Sequence, residues 1–339
     1  MTTDVRALKI GVLGASRIAE KAITQASRET GDRRYAVAAS SRDRAVAYAE
    51  QYGYERVHED YDALVRDPEI DLVYIGLVNG LHAEWTSRAL RAGRNVLVEK
   101  PFAANLGEFE GIAAQLESSA GWVWEGFHYR HHPVMRRMLD AVATGELGEL
   151  RRVEVRMCMP NPGDADPRWS FGLAGGAMMD VGCYALHAVR EVGDVLGLRA
   201  RVLGATAEGW GADERVDARV TANLALGEVP VRLEASMTAP EFDFGLRIVG
   251  ERGSVFAPSF VLPVEDDRVV VTVDGRERTE RLGTSSTYTH QLQVVGQALR
   301  EGERSLVELE RSRTNARLID EVYRAAGMPL RQSVTGSHM

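Results

Sequence analysis

Two groups of residues in this chain have the types and spacing to do chemistry. The first is Gly14-Ala15-Ser16-Arg17-Ile18-Ala19, directly after an apolar run and directly before a helical pattern. It matches the dinucleotide fingerprint G-x-G-x-x-G/A, with serine in the middle place. Gly14 permits the tight turn, the small Ser16 lets backbone approach a pyrophosphate, and Ala19 lets helix and strand pack closely. A helix N-terminus there offers free N–H groups to an anion. The alternative is a merely structural β–α turn. The second group is Lys100, Asp180, Tyr184 and His187. Lys100 ends Asn95-Val-Leu-Val-Glu99-Lys100-Pro101, a buried-looking strand, and ligands bind outside the carboxyl ends of such strands. Pro101 fixes the exit geometry and is compatible with a cis bond. Asp180 and Tyr184 lie four apart, so they share a helix face, and His187 continues it by one turn. The plainer readings are a strand-end Glu99–Lys100 salt bridge and a hydrogen-bonded buried cluster.

The second strand ends Ala39-Ser40-Ser41-Arg42, with no carboxylate before Asp43. An acid at this place holds the ribose hydroxyls of NAD, whereas hydroxyls and a guanidinium accommodate a 2′-phosphate. Ser41 and Arg42 therefore favour NADP(H). Only three lysines occur, so arginine carries nearly all the positive charge and any single arginine is weak evidence. Gly126-Phe-His128-Tyr-Arg130-His131-His132 invites a metal reading. Adjacent His131 and His132 cannot point one way, and no cysteine or carboxylate completes a ligand set, so no metal is expected. Arg130 or His128 lining a substrate crevice is the better reading. In Pro167-Arg168-Trp169, the Trp169 face suits stacking on a sugar ring, or simple packing.

Around these residues the first third alternates short apolar strands with helical segments. Ala7–Leu13, Tyr35–Ser40, Leu72–Leu77, Asn95–Val98 and Trp122–Gly126 read as strands, and the pattern predicts βαβ units and a parallel sheet. After a helix at Pro133–Thr144, runs of strand-like alternation dominate, interrupted by a helix at Asp180–Leu196 and closed by two more. The expectation is an α/β nucleotide-binding domain at 1–127 and an α+β domain at 128–330 with a mostly antiparallel open sheet. Gly336-Ser337-His338-Met339 reads as vector-derived sequence.

The 339 residues suit two domains, and 45% hydrophobic with 27% charged residues excludes a disordered chain. The net charge of −8 argues against a nucleic-acid binder. Two cysteines cannot build a disulfide framework, no signal-peptide pattern opens the chain, and no apolar stretch is long enough to span a membrane. The expectation is a cytoplasmic protein. Strands with alternating apolar faces suit a homodimer or homotetramer meeting through the second sheet.

Taken together, Gly14–Ala19, Asn79-Gly-Leu-His82-Ala-Glu-Trp, Glu99-Lys100-Pro101, Gly175–Tyr184 and Thr287-Tyr-Thr-His-Gln291 resemble the glucose–fructose oxidoreductase / inositol dehydrogenase (Gfo/Idh/MocA) family over most of residues 7–327. The resemblance implies an N-terminal Rossmann domain holding a nicotinamide cofactor, with contacts from Gly14, Ala15, Ser16, Arg17, Ile18, Ser41, Arg42, Leu77, Asn79, His82, Glu99 and Lys100. It implies that Lys100 sits beside nicotinamide and substrate, and that Asp180 bonds substrate hydroxyls; on their residue types and placement, Arg130, Trp169 and His187 are further substrate-pocket candidates. Many members carry a catalytic histidine where this chain has Tyr184. Sugar ketoreductases, xylose dehydrogenases and dihydrodiol dehydrogenases use tyrosine there. A proline that commonly precedes Asn79 is replaced by Val78. A hydride transferred to a ketone leaves an alkoxide that needs a proton. Tyrosine, with an ordinary pKa of about 10, is a poor acid–base at neutral pH, and an adjacent Lys100 cation would lower that value. The roles implied are Tyr184 as proton donor and acceptor, Lys100 as its electrostatic partner, and Asp180 as substrate orienter. The expected activity is NADP(H)-dependent oxidoreduction of a sugar or related cyclic polyol. The rivals are a trans-dihydrodiol dehydrogenase and a non-catalytic NADP-sensing regulator.

Overall fold

In the computed structural model of the chain, residues 6–332 and 334 are described, and the tail at 336–339 lies outside them. Six parallel strands form the first sheet: β1 (Lys9–Leu13), β2 (Arg33–Ala38), β3 (Arg56–Val57), β4 (Leu72–Ile75), β5 (Asn95–Val98) and β6 (Val123–Glu125). Their order is β3-β2-β1-β4-β5-β6. All four residues of β4, Leu72-Val-Tyr-Ile75, are fully buried, because helices cover both faces of the sheet and leave no alternation to read. The helices are α1 (Arg17–Ala19), continued by a π-turn at Glu20–Gln25 into α2 (Ala26–Thr30), then α3 (Arg42–Tyr52), α4 (Tyr61–Arg66), α5 (Asn79–Arg91) and α6 (Leu106–Leu116). The strand order reverses between β1 and β4. That switch point opens a crevice at the carboxyl ends of the strands, where Gly14 and Leu77 lie.

Helix α7 (Pro133–Ala143) leads into β7 (Leu150–Cys158). A π-turn at Met178–Gly182 runs into α8 (Cys183–Leu196). Strands β8 (Ala200–Trp210), β9 (Asp213–Leu226), β10 (Val229–Ser236), β11 (Leu246–Gly250), β12 (Gly253–Ala257), β13 (Arg268–Val273) and β14 (Arg276–Arg281) complete an eight-stranded sheet. Its order is β14-β13-β12-β11-β7-β10-β9-β8. Every pairing is antiparallel except β7 with β10. One face, with Val153, Val155, Leu233 and Ile248, packs with Ala185, Leu186 and Val189 of α8 in one apolar core. The other face is charged rather than apolar: Arg219 pairs with Glu234, and Arg156 with Asp243. The apolar outer face expected for an oligomer contact is therefore not what these strands present.

The two closing helices, α9 (Thr287–Glu301) and α10 (Leu306–Ala325), do not stay with the second sheet. Leu292 and Val295 of α9 share a core with Leu8, Ile10 and Ile23 of the first half. Helix α10 lies at the seam, with Ala316 in the first core and Leu318, Ile319 and Val322 in the second. The spatial division of the chain thus differs from a simple cut at 127/128, because apolar faces at 287–326 find partners on both sides. No helix among the described residues is long and apolar enough to cross a membrane.

Candidate active site

The glycine loop is shaped by close approach. Gly14 has φ +98, and a Cβ there would press on the Gly76 carbonyl and the Leu77 side chain. Its N–H bonds the Ala38 carbonyl at 2.9 Å, tying the loop to β2. The Ser16 hydroxyl donates to the Gly76 carbonyl at 3.1 Å and accepts from the Ala19 N–H at 3.2 Å. It therefore caps α1 and bridges the two switch-point strands, rather than standing free for an anion. Ala15 and Ile18 are half-buried beside it, and Arg17 is exposed.

Ser41 caps α3 through the Arg44 N–H. Arg42 is exposed and points to no hydrogen-bond partner among the described residues. Arg44, which the sequence reading passed over, is the cation that reaches back. It donates to the Ser40 hydroxyl at 2.8 Å and to the Ala15 carbonyl at 3.1 Å, spanning the end of β2 and the glycine loop.

Other residues expected to touch a cofactor are engaged elsewhere. Glu99 is buried and accepts from the Tyr74 hydroxyl at 2.9 Å, and burial raises its pKa. Asn79 donates to the Ala174 carbonyl at 3.1 Å, linking α5 to the glycine run of the other half. The His82 ring lies between the carbonyls of Pro101 (2.8 Å) and Leu77 (3.0 Å), and burial lowers its pKa to about 4. It ties together the loops that leave β4 and β5. The Lys100–Pro101 bond is cis.

Lys100, Asp180 and Tyr184 converge. The Lys100 ammonium lies 4.9 Å from the centre of the Tyr184 ring. It donates to the Asp180 carbonyl at 2.8 Å and sits 3.7 Å from the Asp180 carboxylate. Burial works against the charge on Lys100, but its neighbours Cys183, Asp180 and Glu99 outweigh it and its pKa is raised. Arg168 meets the same Asp180 carboxylate at 3.3 Å, so two cations pin it. Lys100 faces the flat of the Tyr184 ring, not its hydroxyl. Burial, with Tyr288 and Glu99 adding to it, raises the Tyr184 pKa well above its ordinary value. The lowered phenol pKa expected from Lys100 is thus reversed: removal from water outweighs a cation placed over the ring. The phenol oxygen is met instead by His128 Nε2 at 3.0 Å.

His187 and Arg130 do not join this cluster. The His187 ring stacks on Phe127 with centroids 3.8 Å apart and is 2.7 Å from the Tyr129 hydroxyl. Arg130 pairs with Glu191 and Glu308. Both line a cavity of about 430 Å³ whose walls include Phe127, Gln291 and Glu308 but not Lys100, Asp180 or Tyr184. The turn from Tyr184 to His187 carries the histidine round to the far side of Phe127. Trp169 is buried and stacks on Trp210 at 4.1 Å, 9° from parallel, so its face is occupied by packing.

Known proteins give the setting for this geometry. Residues 8–127 match the family model described as an oxidoreductase family with an NAD-binding Rossmann fold, and residues 135–256 match the GFO/IDH/MocA C-terminal domain. The chain is 33% identical over 323 residues to D-xylose 1-dehydrogenase (NADP(+)) 2 of Haloferax volcanii, covering 94% of this chain and 97% of that one. It is 29% identical to the dTDP-3,4-didehydro-2,6-dideoxy-α-D-glucose 3-reductase of Actinomadura kijaniata, covering 94% and 96%. A 3-ketoreductase from the same organism, solved with NADP and TDP-benzene, superimposes with a TM-score of 0.87 at 27% identity, covering 94% of this chain and 98% of that one. That enzyme has also been solved with one tyrosine changed to phenylalanine and with one lysine changed to alanine. The two positions are separated along that chain by the same number of residues as Lys100 and Tyr184 here. This chain belongs to the GFO/IDH/MocA family of oxidoreductases.

Proposed function

We propose that the protein is an NADP(H)-dependent oxidoreductase moving a hydride between the nicotinamide and a carbonyl or hydroxyl carbon of a sugar or related cyclic polyol. The observation that carries this reading is the meeting of Lys100 with Asp180 and Tyr184, from opposite halves of the chain, beside the carboxyl ends of the first sheet. The names of the relatives, a xylose dehydrogenase and a nucleotide-sugar ketoreductase, support the substrate class.

The residues present fit the cofactor. Gly14, at φ +98 and with the Gly76 carbonyl and Leu77 pressing on any Cβ there, holds the tight turn at which a pyrophosphate would approach, just ahead of the N-terminus of α1. Ser40, Ser41, Arg42 and Arg44 surround the end of β2 with hydroxyls and guanidinium groups, which suits a 2′-phosphate. When bound, NADPH supplies the hydride. The chain's own residues handle the proton. Tyr184 gives its proton to the reacting oxygen, and burial keeps the phenol protonated for that step. Lys100, fixed by the Asp180 carbonyl, places a positive charge beside the oxygen that becomes an alkoxide. Asp180, held by Lys100 and Arg168, has lone pairs left to accept from substrate hydroxyls. A homodimer or homotetramer formed through the second sheet would use its charged outer face, with ion pairs in place of apolar burial.

The test is NADPH oxidation with a panel of keto-sugars and NADP reduction with aldoses and trans-dihydrodiols. Turnover of a sugar is the expected result. Turnover of dihydrodiols alone would move the assignment to that activity. Tight NADPH binding without any turnover would leave a cofactor-binding regulator.

A further inference from the structure

Tyr184 is the acid of the proposed reaction, yet Lys100 does not touch its hydroxyl. Among the described residues, one side chain lies within hydrogen-bonding distance of that oxygen: His128, with Nε2 at 3.0 Å. The other ring nitrogen, Nδ1, is 2.7 Å from the hydroxyl of Thr287, the first residue of α9. The imidazole lies against the Tyr288 ring, with centroids 3.9 Å apart, and is 1% exposed. Three distant stretches of chain therefore meet at the phenol: the turn after β6, α8 and α9.

We propose that His128 is a positioning residue for Tyr184, donating its Nε2–H to the phenol oxygen while its Nδ1 accepts from the Thr287 hydroxyl. This deepens the assignment of Tyr184 as proton donor and rests on it. The argument is one of counting protons. Burial, then the charge of Lys100 and the neighbouring His131, lower the His128 pKa to about 3, so the ring is neutral and carries one proton. With that proton on Nδ1, the Tyr184 O–H would have to point at Nε2, away from any substrate. With it on Nε2, the Tyr184 O–H is free to face the reacting oxygen. Thr287 satisfies either arrangement, because a hydroxyl both donates and accepts. Only the second makes Tyr184 an acid. When Tyr184 transfers its proton, the phenol O–H bond breaks and the reacting oxygen gains an O–H bond. The imidazole keeps its own proton, and its hydrogen bond to the new phenolate is now charge-assisted. Tyr184 regains a proton from solvent once product has left.

Several other ionisable groups face this pair: Lys100 and Glu99 from the end of β5, Asp180 and Cys183 from the turn and helix of Tyr184, Tyr288 from α9, and Tyr129 and His131 beside His128. None of them is substituted in the test below, so the fields they exert stay in place.

The experiment measures kcat against pH in both directions, together with NADPH affinity by fluorescence, for wild type, His128→Met, His128→Gln, Thr287→Val and Tyr184→Phe. His128→Met fills similar space without a donor. Its kcat should fall roughly tenfold or more, with NADPH affinity unchanged. The oxidation limb governed by the phenol should move up by roughly one pH unit, since a donor that favours phenolate has gone. His128→Gln, whose amide N–H reaches to the place of Nε2–H, should recover most of the rate and move the limb back. Thr287→Val should shift the limb the same way by less, and it decides the matter by itself if His128→Met does not fold. Wild-type kcat with an unmoved limb in both His128→Met and Thr287→Val overturns the inference. Tyr184→Phe separates the two levels. Loss of turnover there, with His128→Met unaffected, removes only the role of His128, whereas retained turnover removes the role of Tyr184 as well.

Discussion

The guanidinium of Arg331 and the carboxylate of Asp217 form a hydrogen-bonded ion pair with no exposure on either side. This pair holds the segment that carries the site. Arg331 Nε also donates to the Gly175 carbonyl at 2.6 Å, and Asp217 accepts from the Met178 N–H at 2.6 Å and from the Tyr323 hydroxyl at 3.0 Å. Gly176 has φ +126, and a Cβ there would overlap the Asp217 carboxylate. The glycine run is therefore needed because a buried ion pair occupies the space of its side chains. The Asn105 side chain donates to the Arg331 carbonyl at 2.8 Å, so the C-terminal stretch also ties the glycine run to the first half.

Removing Arg331 should leave Asp217 as an uncompensated buried charge. Arg331→Met is expected to lower stability by about 3–5 kcal/mol, read as a fall in the urea midpoint. The double variant Arg331→Met/Asp217→Leu should be less destabilised than Arg331→Met alone, since it leaves no lone charge. Additive losses would refute the coupling.

Tyr184→Phe and Lys100→Met should separate binding from chemistry. Neither side chain belongs to the glycine loop or to the cluster around Ser40, so NADPH affinity should change little. The rate should fall by about 10²–10⁴, the contribution of a placed acid–base group. Near-normal kcat in Tyr184→Phe would end the proposed proton transfer.

Arg44, not Arg42, should set the preference between dinucleotides. Its guanidinium already bridges Ser40 and the Ala15 carbonyl, whereas the Arg42 side chain has no hydrogen-bond partner among the described residues. Arg44→Ala should raise the KM for NADPH about ten- to a hundredfold, the worth of one or two charge-assisted bonds, and leave NADH use nearly unchanged. An equal loss for both cofactors, or a larger effect from Arg42→Ala, would contradict this.

What the sequence made legible follows from periodicity and punctuation. Strand β5 was expected at Asn95–Val98 and is observed there, because a four-residue apolar run between Gly93 and Pro101 admits little else. Strand β14, Arg276-Glu-Arg-Thr-Glu-Arg281, escaped notice: an edge strand of charged residues has no apolar alternation. Strand β3 has two residues and α4 six, too few for a period. Lys100, Asp180 and Tyr184 were found because polar residues interrupt apolar segments at strand-end and helical spacing. Arg44 and Arg331 were not, since nothing local distinguishes one arginine among many, and the partners that mark them out, Ala15 and Asp217, lie 29 and 114 residues away. His187 was placed on the wrong side because spacing fixes a helix face without saying which neighbour, here Phe127, divides that face.

Acid should destabilise the fold through its buried histidines. His82, His128 and His132 have pKa values lowered to about 4, about 3 and about 4, and His187 is lowered well below its ordinary value, in each case first by burial. In the unfolded chain each titrates near 6.5. A group whose folded pKa is depressed contributes stability that is present above the unfolded value and lost as pH falls toward the folded one. For each the window opens at about pH 6.5 and closes at the folded value, about 4 for His82 and His132 and about 3 for His128, and each of these three costs about 1.4 kcal/mol per pH unit within it. Four carboxyls act oppositely. Burial pushes Glu125 up to about 7 and raises Glu99, Asp217 and Asp320, so the folded protein takes up their protons at higher pH than the unfolded chain. Glu125 is the one of these brought near neutral pH, while half-buried His131, lowered to about 4, adds to the four rings, so the histidines leave a net loss on the order of a few kcal/mol between about pH 7.5 and 5.5. The urea midpoint should therefore drop over that interval, and His132→Gln, which removes one of the four, should make the slope shallower. A midpoint that stays level or rises on acidification would mean that these rings are already protonated in the folded protein.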